Sequence, residues 1–263
     1  MRTRSRLVAT MLAVATSVTL LTGCGILASQ PAPTSTVRSA DGESVVISWE
    51  DYPAHAGVDG ERLLGAPDAA ELEGPARGVM DAVRGAVQDE SGVPLHPLTP
   101  TTEWFGIDDW FPQQGNGYGG DSMLTSVNCC DLQSDAVPTP DRWDAVFAAA
   151  NAALVEAGLG ALTEDQALDD EYRDTYCTGA GGTCWLRSMT AYDGYQWVFV
   201  TIQDTTLDPT GDAAREAEEM GWPLASIAVG YGATVVDAGR SDEFAAAIAP
   251  FVGLERPDAT TSD

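Results

Sequence analysis

The chain has 263 residues, of which 40 are acidic and 13 basic, and its net charge is −27. All 13 basic residues are arginine, which excludes lysine chemistry such as Schiff-base formation or a lysine-containing phosphate loop. A chain this acidic repels phosphate backbones, so we expect no nucleic-acid partner.

The first 24 residues follow the pattern of a lipoprotein signal peptide. Arginines at positions 2, 4 and 6 are followed by an uncharged apolar run from Leu7 to Leu21. The sequence from Leu21 to Cys24 resembles the bacterial lipobox, whose cysteine thiol receives a diacylglyceryl group. An ordinary secretory signal with an incidental cysteine is the alternative. We expect cleavage after residue 23 and a lipid anchor on Cys24, which attaches the protein to the extracytoplasmic face of the cell membrane.

The mature chain divides into three parts by composition. Residues 24–44 are small, polar and proline-containing, and they predict a flexible tether. A globular domain is predicted over residues 45–255, with 101–255 as its firmer part. Residues 256–263 are predicted to fray.

Hydrophobic periodicity predicts the elements of the domain. The firmest helix is 142–158, capped by Asp141, because Trp143 begins one continuous apolar stripe. A hairpin is predicted around the turn Asp193-Gly194, and we expect its second arm to be covered on both faces. Other segments predicted are strands 45–49, 122–130 and 224–236, the last with a glycine bend at 230–232, and helices 67–90, 211–220 and 242–251. Strands joined by a hairpin and interspersed with helices favour an α+β fold, mainly an antiparallel sheet with helices packed on it.

Residues 101–120 contain paired aromatics beside acids and a Gly/Asn-rich loop. Aromatic faces beside carboxylates are typical of sugar-binding sites, so we consider a ligand platform here; the alternative is a set of core aromatics around a buried turn. The candidate ligand-binding residues are Trp104, Asp108, Asp109, Trp110 and Tyr118. With Asp121, the two aspartates also offer hard oxygens for calcium, but their spacing fits no EF-hand loop, and we expect no metal or other cofactor.

Four cysteines remain after Cys24, which in an exported protein predicts two disulfides. Neighbouring residues of an extended strand point to opposite faces, so Cys129 and Cys130 should each find a distant partner. We expect bonds from this pair to Cys177 and Cys184. Zinc is the rival interpretation, without a CxxC pair or a nearby histidine in its favour.

No catalytic residue is predicted. His55 and His96 are the only histidines, and neither has a neighbouring nucleophile in the sequence. Carboxylates are plentiful, so a glycosidase-like acid/base pair is left as an alternative.

The lipobox, the order of elements and the cysteine positions resemble those of small actinobacterial envelope lipoproteins of the LppA-like type, over residues 101–255. The resemblance implies an envelope protein and assigns no functional residue. We therefore expect a binding or interaction module rather than an enzyme, whose partners are the membrane through its anchor and a cell-wall glycan or envelope protein. The alternatives are a carboxylate-dependent envelope hydrolase and a purely structural component.

Overall fold

The computed structural model describes residues 31–38, 41–164 and 175–261. The predicted signal peptide, residues 1–23, and Cys24 lie outside these residues. The described residues form an α+β fold, as the sequence predicts.

The main sheet is antiparallel throughout, with strand order β3-β5-β9-β8-β7-β6, and β4 pairs with the outer edge of β5 beside β3. Its strands are β3 (His96–Pro97), β4 (Trp110–Pro112), β5 (Leu124–Ser134), β6 (Thr163–Glu164), β7 (Leu186–Tyr192), β8 (Gln196–Asp204) and β9 (Ala225–Val236). The predicted hairpin is β7–β8, but its connection is longer than the predicted two-residue turn, because Tyr192 is paired with Trp197 and Asp193 N donates to Gln196 O at 3.2 Å.

The described parts of the chain contain five α-helices: α1 (Gly60–Leu63), α2 (Glu73–Ser91), α3 (Trp143–Glu156), α4 (Asp212–Met220) and α5 (Ser241–Ile248). Helices α2 and α3 pack against each other and against one face of the sheet. The apolar stripe of α3 is buried as predicted from Trp143 to Leu154, whereas Ala157 at its end is exposed. Asp141 makes no capping bond and lies in a 3-10 turn, Pro140–Arg142, that precedes the helix.

A second, smaller core lies at one end of the sheet. There Trp49 packs against Tyr52, Tyr118 and Phe251, with ring centroids 5.1 to 5.6 Å from that of Trp49. Helix α5 closes this cluster with two buried apolar side chains.

Two terminal segments are more ordered than predicted. Part of the predicted tether, Thr34–Arg38, is a strand, β1, which pairs with β2 (Ser44–Ser48). The predicted frayed tail is held as far as Thr261, because Tyr118 Oη donates to Pro257 O at 2.7 Å and the tail donates to Gly117 O. Both segments form hydrogen bonds with backbone or side-chain polar groups of the second core. Such long-range hydrogen bonds cannot be predicted from sequence periodicity.

Two disulfides are present, as predicted, but the predicted pairing is wrong. Cys129 bonds to its neighbour Cys130, and Cys177 bonds to Cys184. The alternation argument assumed a regular strand, whereas β5 has a bulge at this point, with a φ of 69° at Cys130. The other pair closes because Trp185 N donates to Tyr176 O at 2.8 Å, which brings the two ends of the loop together.

Candidate ligand-binding face

The two faces of strand β8 have different surroundings. Val198, Val200 and Ile202 are completely buried on the side that α2 and α3 cover. Trp197 and Phe199 alternate with them and point to the opposite side, where both are only partly buried. We call the helix-packed side the covered face and the other side the open face. The expectation that β8 would be covered on both sides is therefore wrong for the open face.

Two glycines allow the open-face rings to lie against the sheet. Gly232 pairs with Trp197 and Gly230 pairs with Phe199 in the register of β8 and β9. A Cβ atom at either glycine would overlap the ring of its partner. The glycines thus provide the space in which each ring lies across β9. The predicted glycine bend at 230–232 is absent, because β9 pairs with β8 continuously through these positions.

Polar side chains flank the rings on the neighbouring strands. On β7, Thr190 is paired with Phe199, and Ser188 is paired with Thr201. Ser188 and Thr201 share a hydroxyl–hydroxyl hydrogen bond of 2.9 Å. On β5, Asn128 is paired with Gly232 and is exposed. The open face therefore combines apolar ring surfaces with hydroxyl and amide groups that can donate or accept hydrogen bonds.

Beyond β5, the aromatic segment of the sequence contributes one ring to this side. Phe111 on β4 is paired with Ser126 and is 54% exposed. Ser126 forms a 2.9 Å hydroxyl–hydroxyl hydrogen bond to Thr234, which lies on the same side of β9. The open face thus extends from β7 to β4.

A carboxylate lies beside Phe199. Asp131 Oδ1 is 2.6 Å from the position that a Cβ of Gly230 would occupy, which is also where the Phe199 ring lies. Partial burial raises the pKa of Asp131 above its ordinary value, and the negative charge of Asp109 adds to this shift. Asp131 nevertheless keeps contact with solvent, so it can accept a hydrogen bond from a ligand on the open face.

The three rings expected to form one exposed platform do not do so. Trp104 is 5% exposed and belongs to the main core, with the Arg77 guanidinium 5.4 Å from its ring centroid. Tyr118 is 1% exposed and belongs to the second core. The prediction of a shared platform is therefore wrong for these two residues, and the rival core interpretation describes them.

The remaining predicted site residues lie just before β4 or at its start, and the pairing of Trp110 with Val127 places Trp110 on the covered side. Trp110 packs partly against the main core and donates its Nε1 hydrogen to Phe105 O at 3.3 Å. Asp109 accepts a 3.0 Å hydrogen bond from Gly106 N, and Asp108 is exposed. Of the candidate residues, Asp109 is the one whose charge raises the pKa of Asp131.

Sequence reasoning missed Trp197, Phe199 and Asp131 as site residues. The sequence signal was the alternation of β8 together with Gly230 and Gly232, since glycine in a strand interior marks close approach of another group. Pairing of these glycines with the two rings depends on the β8–β9 register, which a single sequence does not display.

A groove of about 600 Å³ lies between β1 and the C-terminal tail. Trp49 is among its lining residues but is 1% exposed and offers no ring face, while Arg256 and Asp258 also line it. A ligand site usually has an apolar lining with a few placed polar groups. The open face fits this description better than the groove.

His55 is an ordinary loop histidine, because its Nδ1 accepts a 3.0 Å hydrogen bond from Gly57 N. His96 lies exposed on β3. Across the described ranges, no group of three or more His, Cys, Asp or Glu side chains is arranged to hold a metal ion. Within the same ranges, no helix has both the length and the apolar character of a membrane span.

No protein-family model, characterised protein or solved structure shows significant similarity to this chain.

Proposed function

We propose that the chain is a lipid-anchored, extracytoplasmic binding module whose open face binds a saccharide of the cell envelope. The anchor part of the proposal rests on the lipobox-like sequence that ends at Cys24. The binding part rests on one observation, the two partly exposed rings that lie across paired glycines on the open face.

The chemistry of the open face suits a sugar ring. The apolar C–H face of a pyranose packs on the flat surface of an aromatic ring, and Trp197 and Phe199 are next-but-one neighbours on one strand, so they present two such surfaces side by side. Asn128, Thr190 and Asp131 offer hydrogen-bond partners around them for sugar hydroxyls. The open face thus presents apolar ring surfaces surrounded by hydrogen-bonding groups, which suits binding of a saccharide.

Trp197→Ala tests the binding site. We expect it to weaken binding to soluble cell-wall polysaccharide by about tenfold, the order of effect that loss of a stacking side chain has for nucleic-acid bases, about 1–3 kcal/mol each. Intrinsic fluorescence titration and affinity electrophoresis measure the loss. The matched control is Trp222→Ala, because Trp222 is 55% exposed and lies outside the open face, after α4. Unchanged affinity in Trp197→Ala, or equal loss in the control, would contradict the proposal.

Cys24→Ser tests the anchor. The serine cannot form the thioether to diacylglycerol, so lipid labelling should disappear and the protein should accumulate as unprocessed precursor or be released. Metabolic labelling with a fatty acid and fractionation of membranes measure this. The control is Cys177→Ser together with Cys184→Ser, which removes two other thiols and should leave labelling intact. Normal processing and membrane retention of Cys24→Ser would refute the anchor.

A second candidate function is hydrolysis of the bound saccharide. The observation that favours it is the pair Asp109 and Asp131, in which burial and the neighbouring charge raise the pKa of Asp131, as a general acid requires. We rank it below binding because Asp131 lies on an open sheet face in contact with solvent. Release of new reducing ends from the polysaccharide, lost in Asp131→Asn, would establish the hydrolase; release unaffected by Asp131→Asn would exclude this pair.

A further inference from the structure

Strand β5 contains a one-residue bulge in the middle of the sheet. Cys129 is paired with Tyr231, and the next paired residue, Leu132, is opposite Val229. Three steps along β5 therefore match two steps along β9, and Cys130 and Asp131 together stand opposite Gly230. One residue of the bulge, Cys130, has a left-handed backbone with a φ of 69°.

The bulge decides on which side of the sheet Asp131 lies. Asn128 faces the open side, and in a regular strand the alternation would place residue 131 on the covered side and residue 132 on the open side. In the structure, Leu132 is buried with the covered-face core and Asp131 lies over Gly230 on the open face. The extra residue thus exchanges the sides of these two residues.

The conformation of Cys130 is one that glycine normally supplies. When the first residue of a β-bulge has a left-handed backbone, it is usually glycine, because a Cβ atom disfavours the left-handed region of φ and ψ. Here the residue is a cysteine that is 2% exposed and covalently joined to the residue before it. A disulfide between neighbours closes a small ring that limits the backbone conformations of both residues.

We infer that the Cys129–Cys130 disulfide is a positioning device that holds the bulge and thereby sets the Asp131 carboxylate beside Phe199 on the open face. The consequence for ligands rests on the proposed function. An acceptor fixed beside a ring selects saccharides that present a hydroxyl or amine donor at the edge of the stacked sugar. Asp131 is then a specificity-determining residue, and the two cysteines act through it.

The test compares two double variants of the full chain. Cys129→Ala with Cys130→Gly removes the disulfide but keeps a residue that adopts a positive φ freely, whereas Cys129→Ala with Cys130→Ala removes both. The Cys177→Ala and Cys184→Ala pair is the control, because it deletes the other disulfide and leaves β5 unchanged. Two measurements are made on each protein: titration of the Asp131 carboxyl by NMR without ligand, and affinity for soluble cell-wall polysaccharide.

We expect the glycine variant and the control to keep the raised pKa of Asp131 and an affinity within about twofold of wild type. In the alanine variant the pKa of Asp131 should change, and affinity should fall about tenfold, as for loss of a hydrogen bond to a charged group.

An alanine variant that fails to fold while the glycine variant folds supports the same conclusion. An alanine variant with unchanged titration and affinity would overturn the inference, because the bulge would then hold without the disulfide. A glycine variant that also loses both would show that the bulge needs the disulfide itself and not only a residue that adopts a positive φ. If titration follows this pattern but no variant and no wild type binds the polysaccharide, the positioning stands and the proposed function fails.

Discussion

The covered and open faces of the sheet are built from the same strands but from different residues. On β8 the covered face has Val198, Val200 and Ile202, all completely buried. The open face has Trp197 and Phe199, which lie across glycines and keep contact with solvent. Branched aliphatic side chains pack against the helices, whereas each ring lies across a glycine of β9.

This difference separates stability from recognition. Complete burial of an aliphatic side chain stabilises the fold by about 1.5–3 kcal/mol, and the covered face holds many such side chains. A ring that stays partly exposed contributes less to folding and retains apolar surface that a ligand can remove from water. We therefore expect substitutions on the covered face to change the free energy of unfolding, and those on the open face to change affinity.

The largest expected effect is that of Ile202→Ala on the covered face. Ile202 is 0% exposed, so its truncation leaves a cavity and should cost about 2–5 kcal/mol of unfolding free energy without changing the affinity of the folded protein. Denaturant unfolding measures the cost. Thr201→Val, one residue away on the open face, is the control and should cost about 1 kcal/mol or less, from the lost hydroxyl bond to Ser188. Equal costs would mean that the faces are not energetically distinct.

Gly230→Ala should have an intermediate effect. The added Cβ overlaps the Phe199 ring and approaches Asp131, so both must move, at about 1–3 kcal/mol for overpacking. Affinity should fall as well, because the ring no longer lies against the sheet. The matched control is Gly78→Ala inside α2, where a Cβ meets nothing within 4 Å; it should stabilise the protein by about 0.5–1 kcal/mol. A neutral Gly230→Ala would show that the ring does not need the glycine.

The helices and strands that are marked by a pattern within their own sequence could be predicted. The stripe that begins at Trp143 gives α3, and Asp193-Gly194 gives the β7–β8 hairpin, because periodicity and turn chemistry act over a few residues. Contacts between distant segments were not predictable in the same way. Burial of Tyr118 depends on Trp49, and burial of Trp104 on the main core, and no local pattern connects these partners.

The candidate site was harder to predict from the sequence, because it depends on how the strands of the sheet are paired. Phe199 is opposite Gly230 only through the pairing of β8 with β9. Asp131 faces the rings only because β5 contains a bulge, and the same bulge breaks the alternation from which distant partners for Cys129 and Cys130 were predicted. One extra residue therefore accounts for both the wrong cysteine pairing and the missed carboxylate.

The smallest expected effect is the pH dependence that Asp131 confers. Because burial and the charge of Asp109 raise the pKa of Asp131 in the folded protein, its protonated form is favoured by folding. The resulting stability is fully present below the pKa of the unfolded chain and is lost as the pH rises through the folded pKa. Asp131→Asn should therefore gain stability relative to wild type between acidic and neutral pH, while the loss of a charged acceptor weakens binding.

Asp208→Asn supplies a control of opposite sign. Hydrogen bonds from Ala213 N and from the Thr210 hydroxyl lower the pKa of Asp208. Its contribution is present above the unfolded pKa and is lost as the pH falls through the folded pKa, so Asp208→Asn should lose stability relative to wild type as the pH rises to neutral. Melting temperatures of the three proteins at pH 3 and pH 7 measure both differences. If the two variants shift in the same direction, desolvation of Asp131 on the open face is not the cause.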